Sequence, residues 1–269
     1  MKTFGKIFNF CVYVLLYAPL LIMVFFSFNE SKSTSVFTGF SLKWYQELFS
    51  KSDIIESLSN TLILAVLSSL IATVLGTVAA VGLYKMRSKF LYTTMNTVTN
   101  IPMMNPDIVT GVSLMLLFVF AGRLLGLAEY LSFTTLLISH VTFNLPYVIL
   151  NVLPKLRQTD EHLYEAALDL GCTPMKSFFK VVFPAITPGI ISGALMAFTL
   201  SLDDFVISYY TTGADFQTLP LKIFAMTKKT VKPDMYALST LIFVTILVLL
   251  IVINIVQERS ERKAKGETK

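Results

Sequence analysis

The chain has 269 residues, of which 54% are hydrophobic and only 14% charged, and its mean hydropathy is +0.68. Soluble domains carry about 25% charged residues, so this composition places the chain in a membrane, in spans of ~20 apolar residues. The formal charge of +5 comes without the basic-aromatic interleaving that binds nucleic acid, and Cys11 and Cys172 lie too far apart for a metal motif or a disulfide framework.

Residues 7–28 form the first apolar run, behind Lys2 and Lys6. The run is longer than the apolar part of a secretory signal, and no small-x-small cleavage site closes it. It reads as an uncleaved first span with Pro19 inside. Residues 29–57 are polar, and within them Trp44, Tyr45, Leu48 and Phe49 recur at helical spacing. Trp and Tyr favour the headgroup region, which suggests an interfacial helix; the competing reading gives Trp44 a direct contact with a solute. Residues 60–84 form the second span. Its many small residues, Ala72, Gly76 and Ala80 among them, let neighbouring backbones approach closely.

The third span, residues 94–120, is irregular. Ile101-Pro102-Met103-Met104-Asn105-Pro106-Asp107 puts two prolines, an amide and a carboxylate at mid-depth. Proline removes a backbone donor and breaks a helix, and such a break is tolerated in a membrane where it faces protein or a water-filled cavity. Asp107 is therefore a site candidate. It also suits the cap of a helix resuming at Ile108, and the two roles are compatible. Residues 133–153 form the fourth span, in which His140 and Asn144 read as interhelical hydrogen-bond partners rather than ligands.

Residues 154–184 are polar by comparison. Leu163, Ala166, Ala167 and Leu170 share one helical face, and Glu161, Glu165 and Asp169 step along another. Gly171 suits the position just past a helix C-terminus, and Thr173-Pro174 suits the N-cap and first residue of the next helix. The bland reading is a surface helix; the sharper one is a docking face of small residues. Residues 185–208 form the fifth span, with Gly189, Ser192, Gly193 and Ala194 on a small face, and it ends in Phe198-Thr199-Leu200-Ser201-Leu202-Asp203-Asp204-Phe205. Adjacent carboxylates are costly there unless solvated or paired. Neighbouring helical residues point about 100° apart, so one of the pair faces a pore while the other caps or pairs, or both mark the water interface. Residues 209–235 are an outer loop, 236–256 the sixth span, and 257–269 a charged tail expected to be frayed.

Six spans put both termini on one side, and that side holds 14 of the 22 basic residues. The positive-inside rule makes it cytoplasmic, with residues 154–184 in the cytoplasm, Asp203 and Asp204 toward the outer face and Asp107 near mid-depth. No GxxxxGK[ST] loop occurs, so ATP is not bound here in that way, and no Ser/His/Asp or metal-ligand cluster appears. Carboxylates along the spans suggest a path for a cation. For a polycation, Asp107, Asp203 and Asp204 supply charge compensation, Ser201 a hydrogen bond, and Trp44 or Tyr45 a cation–π face.

Glu165-Ala166-Ala167, three residues, Gly171, nine residues, then Val181-Val182-Phe183-Pro184 resembles the EAA motif of ABC importer permeases, with Val181 and Phe183 as apolar departures. The wider chain resembles the C-type permease subunit of spermidine/putrescine importers, at Pro106-Asp107-Ile108-Val109, Ser139-His140-Val141-Thr142-Phe143, Phe198 to Asp204, and Leu219-Pro220-Leu221-Lys222-Ile223. The resemblance implies an all-α membrane fold of six transmembrane helices, the type I ABC importer permease fold. It divides the chain into residues 1–59, a core domain at 60–256 and a tail at 257–269. It implies that Glu165, Ala166, Ala167, Gly171 and Pro184 belong to a coupling helix seated on an ATPase. The implied partners are a homologous B-type permease subunit, two ATPase subunits that bind ATP and magnesium, and an extracytoplasmic polyamine-binding protein. No cofactor is expected in this chain, which is expected to be a pore subunit in a bacterial cytoplasmic membrane. The rival readings are an ABC permease for another small solute, an ion-coupled secondary transporter, and, for want of a catalytic constellation, least of all a membrane enzyme.

Overall fold

The computed structural model describes residues 2–31, 36–228 and 233–264. The chain is all-helical there apart from an isolated antiparallel bridge between Asn29 and Phe40. The elements are α1 (Lys2–Phe26), α2 (Lys43–Ser50), α3 (Ser52–Tyr84), α4 (Lys89–Met104), α5 (Asp107–Leu124) and α6 (Phe133–Gln158). There follow α7 (Glu161–Asp169), α8 (Pro174–Ser177), a π-helical turn at Phe178–Val182, α9 (Phe183–Asp203), α10 (Val206–Thr211), α11 (Leu219–Thr227) and α12 (Pro233–Ala264). Among the described residues, six stretches are long and apolar enough to cross a membrane: Phe8–Phe26, Ser52–Tyr84, Asp107–Leu124, Phe133–Gln158, Pro174–Asp203 and Asp234–Val252.

Several boundaries differ from the sequence reading. The third crossing is α5, not residues 94–120, so Asp107 opens the crossing helix instead of interrupting one. The helix runs on through Pro102 and stops before Pro106, because Asn105, held extended at φ −79°, ψ 142°, precedes a proline that disfavours the α region. α6 continues through Pro146 and Pro154 to Gln158. The outer loop contains α11, and the tail is helical to Ala264. Of the basic residues on which orientation rests, Lys32, Lys229, Lys232, Lys265 and Lys269 lie outside the described residues.

The chain forms two compact units. One comprises Met1–Leu58 and Leu221–Leu250, the other Ser59–Pro220 and Ile251–Lys269. In the first, the turn after α1 is tied by the Asn29 side chain, which donates to Val36 O (2.8 Å) and accepts from Thr38 N–H (2.9 Å). Trp44 Nε1 donates to Asn29 O at 2.6 Å, and the Ser27 and Tyr45 hydroxyls lie 2.7 Å apart. Lys51 pairs with Asp234 at 2.7 Å and Lys222 with Asp53 at 2.7 Å. The hydrogen bond that Lys51 donates to Asp234 holds its ammonium above the ordinary lysine pKa.

The second unit is built on α6 packed against α9. Gly189 and Gly193, four residues apart, form one stripe on α9. A Cβ at Gly189 would lie 2.7 Å from Asn151 O, and one at Gly193 3.2 Å from Val148 Cα. Gly76 of α3 meets Val148 from elsewhere, its ideal Cβ 2.7 Å from Val148 Cβ. Helices in lipid gain little from hydrophobic burial against one another, so close approach through small residues supplies the packing attraction. Val148, Ile149, Val152, Ile186 and Ala197 are buried in the resulting core.

Candidate functional site: a docking element and an acidic elbow

The docking element follows from local chemistry. Asp160 Oδ1 accepts the His162 N–H at 3.0 Å and caps α7. Gly171 has φ +83°, Gly171 N–H donates to Leu168 O and Cys172 N–H to Ala167 O. This is a Schellman motif, and the left-handed backbone at its centre is why glycine stands there. Thr173 then caps α8, accepting the Lys176 N–H, with Pro174 in the first turn. Ahead of Pro184 the helix widens into the π turn, where Phe183 N–H bonds Phe178 O five residues back. A proline in a helix cannot bond its i−4 carbonyl and clashes with it, and a π turn is one way to accommodate this.

Leu163, Leu170, Met175 and Phe179 are exposed along this element. Exposed large apolar side chains mark a surface covered by protein or by lipid, and Met175 and Phe179 fall within the stretch Pro174–Asp203 that is apolar enough to enter a membrane. Glu165 lines a cavity of about 450 Å³ with Tyr84, Lys85, Arg87, Asp160 and Tyr164. The Lys85 ammonium sits 5.6 Å over the Tyr164 ring. The ends of α3, α6 and α7 thus meet around one hollow.

At the other end of α9 the two carboxylates separate. Asp203 closes α9 with an exposed side chain. Asp204 leaves the helix at φ −62°, ψ 126°, and its side chain is 8% exposed. Its oxygens accept the N–H groups of Ile207 (3.2 Å) and Ser208 (2.8 Å), which start α10. Asp204 is therefore occupied as the cap of a helical elbow, while Asp203 remains available. Behind the elbow lies a polar cluster. His140 Nδ1 is 3.1 Å from Ser201 Oγ and Nε2 is 3.0 Å from Ser208 Oγ. Asn144 donates to Ser201 Oγ at 2.6 Å, and Ser68 Oγ lies 2.8 Å from it. His140 and Asn144 do join helices, as their sequence context suggested.

Two residues expected along a solute path are buried. Ser201 is 2% exposed and its hydroxyl is shared among His140, Asn144 and Ser68, so it has none left for a solute in this conformation. Trp44 is 4% exposed and spends its indole N–H on Asn29 O; it is a structural anchor of its unit. Asp107 is exposed at the first position of α5 without a side-chain cap bond. There its charge complements the helix dipole.

The sequence reading placed Asp107 and Asp203 at different depths. Gly111, one turn into α5, packs against α10, its ideal Cβ 3.0 Å from Tyr210 Cδ2 and 3.5 Å from Val206 O. The break before α5 and the elbow before α10 each carry an exposed carboxylate, Asp107 and Asp203. Interrupted helices are a recurrent way to place polar groups of a solute site inside a membrane.

Residues 72–266 match a family model described as "Binding-protein-dependent transport system inner membrane component". Among curated relatives, the putrescine transport system permease protein PotI of Escherichia coli K12 is 39% identical over 235 residues, spanning 86% of this chain and 82% of that protein. The spermidine/putrescine transport system permease protein PotC of the same organism is 37% identical over 259 residues, 96% of this chain and 94% of that protein. Among solved structures, a bacterial ABC transporter for the import of alginate superposes with a TM-score of 0.74 at 15% identity, covering 100% of this chain and 96% of that one. The MetNI methionine ABC transporter gives 0.59 at 19% identity over 80% of this chain and 96% of that one. These structures share the fold.

Proposed function

The chain belongs to the family of binding-protein-dependent transport system inner membrane components, and from that premise we propose that it forms half of the pore of an ATP-driven importer of the polyamines spermidine and putrescine. The observation that carries the substrate class is identity of 37–39% to polyamine permeases over 86–96% of the chain. The exposed carboxylates of Asp107 and Asp203 support it physically, because a polycation leaving water needs opposite charge along its way.

The partners in this reading are a homologous permease subunit, two ATPase subunits and an extracytoplasmic polyamine-binding protein. ATP and magnesium are bound by the ATPase subunits, and this chain holds no cofactor. Both termini and the docking element face the cytoplasm, following the bias of basic residues. Glu165, Ala166, Ala167 and Gly171 seat the element in the ATPase, and Pro184 joins it to α9. Closure of the ATPases moves α7 and α8, and the connected helices α6 and α9 carry that movement to the acidic elbow, which alternates between outward and inward openings.

The test is reconstitution of the chain with its permease, ATPase and binding-protein partners in proteoliposomes. ATP-dependent uptake of spermidine or putrescine that requires the binding protein is the expected result. Accumulation of a different solute with no polyamine uptake would overturn the substrate class. Polyamine uptake by this chain alone on an ion gradient would overturn the ABC mechanism.

A further inference from the structure

A side chain of α6 touches both arms of the elbow between α9 and α10, beside the separate bonds that Asn144 makes to Ser201 and Thr135 to Thr211 O. His140, on α6, is 1% exposed. Its Nδ1 meets Ser201 on α9 and its Nε2 meets Ser208 on α10, at 3.1 and 3.0 Å. The same Nε2 lies 3.5 Å from Asp204 Oδ2, at the bend itself. One nitrogen thus serves each arm. A planar ring cannot stretch, so the distance between the arms is fixed while both bonds hold. In a dry interior, breaking either bond leaves an unpaired polar group at a cost well above that of an exposed one. The helix that carries His140 then runs unbroken to Gln158, and α7 begins at Glu161. A displacement of α6 therefore reaches both arms of the elbow through this ring.

We propose that His140 is a positioning residue for transport: it is the strut through which α6 sets the angle of the α9–α10 elbow, and with it the presentation of the exposed Asp203 carboxylate to the passing cation. This inference rests on the reading of Asp203 as part of the polyamine path. It assigns His140 no contact with the solute.

A histidine that merely completed the core would affect folding and every activity together. The strut affects uptake through Asp203 alone. The experiment uses the complete transporter in proteoliposomes, with uptake and ATP hydrolysis read together, for wild type, His140→Ala, His140→Gln, Asp203→Asn and the double variant His140→Ala/Asp203→Asn. His140→Ala and Asp203→Asn should each lower polyamine uptake on the order of tenfold, while ATP hydrolysis continues, so that ATP consumed per polyamine rises. The double variant should be no worse than Asp203→Asn alone, since residues acting through one another are not additive. His140→Gln, which keeps one arm bonded, should recover part of the loss. Multiplied losses in the double variant, or wild-type uptake by His140→Ala, would overturn the strut and leave the path intact. Wild-type uptake by Asp203→Asn would overturn the path assignment and the strut with it. Should His140→Ala fail to assemble, His140→Gln takes its place in the same cycle with the same criteria.

Discussion

Two neighbouring carboxylates meet different surroundings at the end of α9, and substitution should separate them. Asp204 satisfies the first amides of α10 and lies beside a buried imidazole. Asp204→Ala removes a cap and orphans its donors, at a cost of about 1–2 kcal/mol. It should lower the melting temperature of the purified complex, whereas Asp203→Ala should leave melting unchanged and act on uptake. Trp44→Phe keeps the ring and loses the bond to Asn29 O, a loss of about 1 kcal/mol. Thermal unfolding should register it while polyamine uptake stays at the wild-type rate; a loss of uptake at unchanged stability would restore Trp44 to the solute path.

Each helix ends for a reason that can be altered. Gly171 sits at φ +83° with open space around its Cα, so Gly171→Val meets backbone strain and no clash, about 1–2 kcal/mol. The Schellman turn should loosen, and ATP hydrolysis should proceed with less transport. Gly193 is the opposite case: its conformation is ordinary and its surroundings are full. Gly193→Leu forces α9 away from Val148, costing about 1–3 kcal/mol or more, and the yield of folded complex should fall sharply. The caps around Gly171 and Thr173-Pro174 were legible in the sequence because cap chemistry is local: a few adjacent residues supply donors, acceptors and allowed dihedrals. The C-terminal end of α6 was not. Pro154 reads as a stop, yet the buried packing of Val148, Val152 and Leu156 outweighs the hydrogen bond that a proline forfeits.

For the whole molecule, six apolar runs and their order were legible from composition, since a bilayer demands length and hydropathy before anything else. The fate of Ser201 was not, because it depends on His140, 61 residues away in sequence. Nor was the packing of α5 against α10, which depends on Gly111 admitting Tyr210. Orientation can be measured directly. Cys172 is a free, partly exposed thiol in the docking turn. A membrane-impermeant maleimide should label it in inverted vesicles and not in intact cells, in a Cys11→Ser background; labelling in intact cells would reverse the topology. In the proposed complex, bound ATPase subunits should protect it.

The π turn at Phe178–Val182 holds one residue more than an α-helical turn would need. The wider turn absorbs that surplus within about one revolution, because each of its residues advances the side-chain direction by less than the roughly 100° of an α-helix. A chain lacking Lys180 would close the turn to α-helical geometry, leave Leu170, Met175 and Phe179 facing nearly as before, and press Pro184 against the carbonyl four residues back. The extra residue is thus slack that lets a proline sit in a continuous rod, and its deletion should lower the melting temperature of the complex with little change in which side chains α8 presents.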